Sequence, residues 1–150
     1  MEKRGNRIFT AMEQSTFFGL DAIQLLRVAF AALAAILFLQ SGLSKVFSWK
    51  SEKDWLTRHF AKSPLNGTVP ILLPVITLLE LAAGVCASIG IVQVLFNGAT
   101  GMGSLGMLLG TTSLIMLFFG QRVAKDYAGA AVLVPYFLMC AAGMYVLMVR

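Results

Sequence analysis

Residues 81–121, LAAGVCASIGIVQVLFNGATGMGSLGMLLGTTSLIMLFFGQ, contain no Asp, Glu, Lys or Arg. A membrane-spanning helix needs roughly 20 mostly apolar residues to cross a hydrocarbon core about 30 Å thick. This stretch is therefore too long for one span, and it requires a turn inside it. The segment 97–103 starts with Asn-Gly and has further glycines at 101 and 103, which favour a turn. We therefore predict two spans here, over residues 69–96 and 104–119.

Two further windows without charged residues lie on either side, at residues 28–44 and 127–149. They predict a first span over residues 25–47 and a fourth over residues 127–149. Of the whole chain, 58% is apolar and 13% is charged, with a mean hydropathy of +0.80; a soluble domain carries about 25% charged residues. These observations predict an all-α membrane protein, a four-transmembrane-helix bundle that forms a single membrane domain over residues 1–150.

The longest charged connection, residues 48–66, joins the first and second spans. On a helix drawn through it, the apolar side chains of Trp55, Leu56 and Phe60 share one side. This pattern predicts a short amphipathic helix in the plane of the membrane interface. Tryptophan is enriched at the headgroup level, and we expect Trp49 and Trp55 to be interfacial anchors in the lipid bilayer.

The beginning of the chain combines charged residues with apolar ones over residues 1–20, which indicates a segment at the membrane surface. No small-residue cleavage site follows Leu39, so we expect the first span to be retained as the targeting signal. The basic cluster before this span favours cytoplasmic termini in a bacterial-type cytoplasmic (inner) membrane. The numbers of basic residues on the two sides of the membrane are too similar to decide the orientation. The side of the termini has Lys3, Arg4, Arg7, Arg27 and Arg150. The opposite side has Lys45, Lys50, Lys53, Arg58, Lys62, Arg122 and Lys125.

Glu80 is the only acidic residue in the interior of a predicted span. It lies about eleven residues from the start of that span, or roughly 16 Å deep at 1.5 Å per residue. A carboxylate at that depth costs about 2.5 kcal/mol or more, so we expect Glu80 to face the bundle interior. The final third of the first span offers polar partners in Gln40, Ser41, Ser44 and Lys45. We predict a hydrogen bond to Gln40 as the first choice and an ion pair with Lys45 as the second.

Gln40, Ser41, Lys45 and Glu80 thus form a candidate polar site inside the membrane. One interpretation is a proton-coupled or quinone-contacting site. The other is an interhelical hydrogen bond that stabilises the bundle. The sequence leaves both interpretations open.

Small residues recur at four-residue spacing in the second and third spans, as Gly84 with Ser88 and Gly106 with Gly110. Such pairs let helix backbones approach closely in lipid. Together with Gly42 of the first span, we therefore expect Gly84, Gly106 and Gly110 to be helix-packing residues.

Several kinds of site are not expected. His59 is the only histidine, and we expect it to be solvated at the interface rather than bound to a metal. The string GMGSLG at residues 101–106 matches GxGxxG, but no βαβ unit surrounds it, so we expect a turn and not a dinucleotide site. The dispersed basic residues do not favour nucleic acid as a partner, and no catalytic residue can be assigned.

Two stretches resemble a known family. FLQSGLSKVF, residues 38–47, resembles the SGLxKLF signature of DoxX-type membrane proteins. LELAAG, residues 79–84, preceded by Pro70 and followed by Gly90, resembles the E…G…G helix of the same family. The resemblance extends from Val28 to the end of the chain, and it departs from many family members at residues 121–127, where a longer loop with a histidine is often found.

The resemblance implies a four-span architecture and an association with membrane redox chemistry. Relatives in the family include the small quinone-reacting subunit of thiosulfate:quinone oxidoreductase. The positions that match the family's motifs are Gly42, Lys45, Glu80 and Gly84.

We therefore expect a DoxX-like integral membrane subunit of a membrane-associated redox complex. Quinone is its candidate ligand and other membrane protein subunits are its expected partners. Neither a covalently bound cofactor nor a complete catalytic centre of its own is expected, and whether the chain is an enzyme stays open. The alternatives are a structural or assembly subunit of a larger membrane complex and a small transporter.

Overall fold

The computed structural model describes residues 19–149 of the chain. The described residues contain five helices and no strand. Four of the helices are long and apolar enough to cross a membrane, and a short one lies between the first and second of them. The predicted all-α fold with four candidate spans and an intervening helix is therefore confirmed. The helices are α1 (Ala22–Phe47), α2 (Trp49–His59), α3 (Val69–Asn97), α4 (Gly101–Val123) and α5 (Tyr127–Met148). The surface segment expected over residues 1–20 lies almost entirely outside the described residues.

Helix α1 begins with a capping box. The backbone N–H of Gln24 donates to Asp21 Oδ1 at 2.7 Å, and the N–H of Asp21 donates to Gln24 Oε1 at 3.1 Å. These bonds satisfy two of the amides that a helix start leaves free, and they place the start three residues before the predicted 25. One turn on, the Arg27 side chain donates to the carbonyl oxygens of Val146, at 3.1 Å, and Val149. Arg27 therefore ties the start of the first span to the end of the last.

Helix α2 follows α1 after a single residue, Ser48, and it buries none of its own residues. Trp49 and Trp55 are 38% and 46% exposed. Phe60, which comes directly after α2, is buried against Val69 and Leu73 at the start of α3. The amphipathic helix is thus attached to the bundle mainly by its carboxyl end.

The turn between α3 and α4 is shorter than predicted. It spans residues 98–100, with Gly98 in the left-handed region at φ 69°, and Gly101 and Gly103 already belong to α4. Gly103 is a packing residue. A Cβ added to Gly90 of α3 would overlap the Cα of Gly103 and lie 2.6 Å from the backbone N of Gly103. Gly90 and Gly103 allow the two helices to cross in close contact, and the prediction of Gly101 and Gly103 as turn residues was wrong.

Helix α4 also extends beyond the predicted range of 104–119, to Val123. The predicted end at residue 119 is the last residue of the apolar run. The helix continues for another turn, because polar side chains at the end of a span can be solvated while the backbone stays helical.

The four predicted packing glycines are all buried between helices. Gly42 of α1 faces Leu81 of α3, and Gly84 of α3 faces Leu39 of α1. Gly106 of α4 packs against the α3 backbone at Ala83 and Ala87. Gly110 of α4 packs against the ring of Phe38. The resulting order of contacts is α1 with α3, α3 with α4 and α4 with α5, and α5 also touches α1. A closed bundle follows, with its core at these small-residue crossings.

Candidate functional site

The polar site is built from one residue of α3 and two of α1. Ser41 and Lys45 are four residues apart, so they lie on the same face of α1. Gly42 lets α3 approach this part of α1, because a Cβ at that position would lie within 2.8 Å of Leu81, the residue next to Glu80. The glycine contact therefore brings the Glu80 side chain within hydrogen-bonding distance of Ser41 and Lys45.

Both carboxylate oxygens of Glu80 are bonded. Lys45 Nζ lies 2.9 Å from Oε2 and 3.2 Å from Oε1, and the Ser41 hydroxyl donates to Oε1 at 3.1 Å. Lys45 also donates to Ser41 Oγ at 2.7 Å, which closes a triad. Glu80 is 1% exposed and the Lys45 side chain 16%. The arrangement is an ion pair whose acidic member is fully inside the bundle, while its basic member retains a small accessible surface.

The predicted direction of Glu80, toward the first span, agrees with these contacts, but the first-choice partner was wrong. Gln40 is exposed and makes no hydrogen bond to Glu80, and Ser44 is exposed as well. The predicted bond between Gln40 and Glu80 relied on the similar depth of the two residues in the membrane. Successive residues of a helix are 100° apart around its axis, so Gln40 and Ser44 share a face adjacent to that of Ser41 and Lys45. The long Lys45 side chain then reaches inward to the carboxylate.

A cavity of about 300 Å³ lies beneath the amphipathic helix, bounded by α2, α3 and α4. Its wall is mostly apolar, with Trp55 and Leu56 from α2, Leu72 from α3 and Met116 from α4 among the lining side chains. Polar groups reach it at three places: Lys45, Glu52 and Gln121. Lys45 therefore connects the buried Glu80 with an apolar space at the level of the membrane interface.

His59 occupies a different environment from the solvated one predicted. Its side chain is 19% exposed, and its Nε2 lies 3.0 Å from Gln121 Oε1 at the end of α4 and 3.9 Å from Asp126 Oδ2. The ring stacks on Trp55 with a centroid separation of 4.8 Å. No pattern along the chain signals this contact, since 62 residues separate His59 from Gln121.

Ser113 of α4 is a second polar residue that sequence reasoning did not single out. It is fully buried, and its hydroxyl has no hydrogen-bond partner among the described residues. Thr77 and Thr111, by contrast, donate to the carbonyl oxygen four residues earlier in their own helices. Since Gly106 packs against Ala87 in an antiparallel pair of helices, Ser113, seven residues further along α4, lies near the level of Glu80, seven residues before Ala87.

A second cavity, of about 270 Å³, lies between α4 and α5 and is lined by apolar side chains such as Leu114 and Phe137. It has no ionisable lining residue. Within residues 19–149, no three His, Cys, Asp or Glu side chains come together as they would to hold a metal ion. The triad and the cavity beneath α2 are therefore the features on which a function can be argued.

No protein-family model, no curated protein and no solved structure matches this chain.

Proposed function

We propose that this protein is a DoxX-like integral membrane subunit of a membrane-associated redox complex and that the cavity beneath α2 receives the head of a quinone-type carrier. The observation that carries the proposal is the position of Lys45, which borders the cavity on one side and binds buried Glu80 on the other. A quinone head is flat and apolar, with carbonyl oxygens that accept hydrogen bonds. It needs an apolar slot with a few donors at its edge.

The cavity meets these requirements. Its volume of about 300 Å³ is at the lower end of the range for small-molecule sites, roughly 300–1,000 Å³. That size suits a ring-sized head, while an isoprenoid tail would remain in the surrounding lipid. The Lys45 ammonium and the Gln121 amide supply hydrogen-bond donors at the polar edge.

The ion pair adds an ionisable group that quinone chemistry can use. Ionisable side chains inside membranes are costly, and they are found at ion pathways and proton relays. Glu80, Ser41 and Lys45 form a continuous hydrogen-bonded chain from the bundle interior to the cavity wall. Such a chain can accept or deliver a proton at the place where the proposed carrier binds.

Quinone retention tests the proposal directly. The tagged protein would be purified in mild detergent, its co-purifying subunits identified, and its quinone extracted and quantified by the absorbance change on borohydride reduction. Leu72→Trp fills the cavity and should lower quinone retention at least tenfold. Ile71→Trp is the matched control, because Ile71 is 70% exposed on the outer side of the same helix turn. Equal quinone content in the two variants and the unsubstituted protein, or none in any of them, would contradict the proposal.

A structural or assembly subunit is the second candidate. The fact that both carboxylate oxygens of Glu80 are already bonded within the bundle favours it, since such a triad can link α1 and α3 without any ligand. Glu80→Gln in the assembled complex separates the two functions. Lost electron transfer with intact assembly supports the redox role, whereas unchanged electron transfer supports the structural one.

A further inference from the structure

Two segments that are far apart in the chain meet at the carboxyl end of α2. His59 contacts Gln121 at 3.0 Å, and the ring of Phe60 lies against Gly120. Exposed cations flank both sides of this contact. They are Arg58 and Lys62 on the α2 side, and Arg122 and Lys125 on the α4 side. The contact of these two segments therefore brings four cations, which the sequence distributes over two regions, to the same end of the bundle.

These four cations have no acidic partner in the described part of the chain. Its salt bridges are Lys45 with Glu80 and a longer contact between His59 and Asp126. Asp126, the acid nearest to the turn, is already engaged, because its Oδ1 accepts the backbone N–H of Gly129 at 2.8 Å and caps α5. Four cations beside the single carboxylate of Asp126 give this patch of the described structure a net positive charge.

The turn has a distinctive feature at each of its two cations. The guanidinium of Arg122 lies over the ring of Tyr127, 4.7 Å from its centroid. Lys125 has a φ of 62°, in the left-handed region that glycine or asparagine usually occupies. Backbone strain of this kind is concentrated at functional positions.

The patch lies at the level of the lipid headgroups, because it joins the end of the spanning helix α4 to the interfacial helix α2. Trp55, stacked on His59, is half exposed beside it. A cluster of Lys and Arg next to a span and on an amphipathic helix is attracted to anionic lipid. Arginine in particular matches the geometry of a phosphate.

We propose that Arg58, Lys62, Arg122 and Lys125 form a binding site for the phosphate-bearing headgroup of an anionic phospholipid in the surrounding leaflet. The ligand is a lipid and not a soluble anion, because the patch borders the hydrocarbon region on one side and the aqueous phase on the other. This site is separate from the cavity and its proposed carrier.

Native mass spectrometry of the detergent-purified protein tests the site. The protein would be titrated with dioleoylphosphatidylglycerol and, in parallel, with dioleoylphosphatidylcholine. Arg122→Gln together with Lys125→Gln should weaken phosphatidylglycerol binding by about 25-fold, from roughly fivefold per cation, and leave phosphatidylcholine unchanged. The matched control is Lys50→Gln together with Lys53→Gln, which removes the same charge from the opposite end of α2. An equal loss in both double variants, or no preference for phosphatidylglycerol, would overturn the proposal.

Two further measurements distinguish a lipid site formed by the contact of the two segments from nonspecific electrostatic attraction of anions to basic residues. Gln121→Leu removes the contact with His59 and changes no charge, so a weakening of phosphatidylglycerol binding in this variant supports a site made by docking. Unchanged binding in Gln121→Leu would overturn it. Displacement of the lipid by inorganic phosphate would show a soluble-anion site and would also contradict the proposal.

Discussion

At the Lys45–Glu80 pair, opposite charges lie 2.9 Å apart in a bundle that lipid surrounds. Glu80 can satisfy its two oxygens only because α1 presents a hydroxyl and an ammonium on one face, four residues apart. The chemistry of each side chain was visible in the sequence. The choice between Gln40 and Lys45 depended on the rotation of α1 about its axis, which hydropathy does not report.

We expect Glu80→Gln to destabilise the protein by about 3–5 kcal/mol, because it leaves the Lys45 ammonium partly buried without a counter-charge. Lys45→Met combined with Glu80→Gln removes that charge and should recover most of the loss. Thermal or SDS-induced unfolding in detergent measures both. A double variant that is as unstable as Glu80→Gln would show that the charge of Lys45 is not the cause.

At the scale of the helices, close crossings between small residues decide how α3 and α4 pack. Gly90 and Gly103 lie so near each other that a methyl group on Gly90 would meet backbone atoms, which cannot turn away as a flexible side chain can. Gly101, two residues before Gly103 in the same helix, has open space around its Cα. Gly90 and Gly101 therefore differ in their tolerance of an added methyl group.

Gly90→Ala should accordingly lower the stability by about 1–3 kcal/mol, the usual cost of overpacking. Gly101→Ala is its control and should stay within about 0.5 kcal/mol, as for most surface substitutions. The unfolding midpoints of the two variants would be compared in the same detergent. If both alanines were tolerated equally, the crossing of α3 and α4 would have to be looser than the structure shows.

For the molecule as a whole, four candidate spans place α2 and the α4–α5 turn on one side of the membrane and Asp21 on the other. The contact of His59 with Gln121 agrees with this, since it joins two connections on the same side. Arg27, bonded to the last residues of α5, likewise joins the start of the first span to the end of the fourth.

Labelling of single-cysteine variants tests on which side of the membrane each connection lies. In a background with Cys86→Ala and Cys140→Ala, Asn66→Cys and Lys125→Cys should react with an impermeant maleimide from the same side of sealed vesicles. Asp21→Cys should react from the opposite side. If Asp21→Cys were labelled together with the other two, α1 would not cross the membrane. The side that faces the cytoplasm follows from the same measurement, and it tests the expectation of cytoplasmic termini.

The fold class, the number of candidate spans and the presence of the short helix between the first two spans could all be predicted from the residues alone. These are local properties, since a run of about 20 apolar residues must be helical in lipid, where no water satisfies the backbone. Residues 28–44, 81–121 and 127–149 contain no charge, and this alone leaves few alternatives. The capping box at Asp21 and Gln24 is local in the same sense, because its bonds stay within one turn.

Tertiary structure decided everything that depends on which faces of the helices meet. It selected Lys45 and Ser41 over Gln40 as partners of Glu80, turned Gly103 from a turn residue into a packing residue, and joined His59 to Gln121. Hydropathy measures how deep a residue lies but not where it points around the helix axis. The direction in which a side chain points is settled only when the crossings of the small residues bring specific faces together.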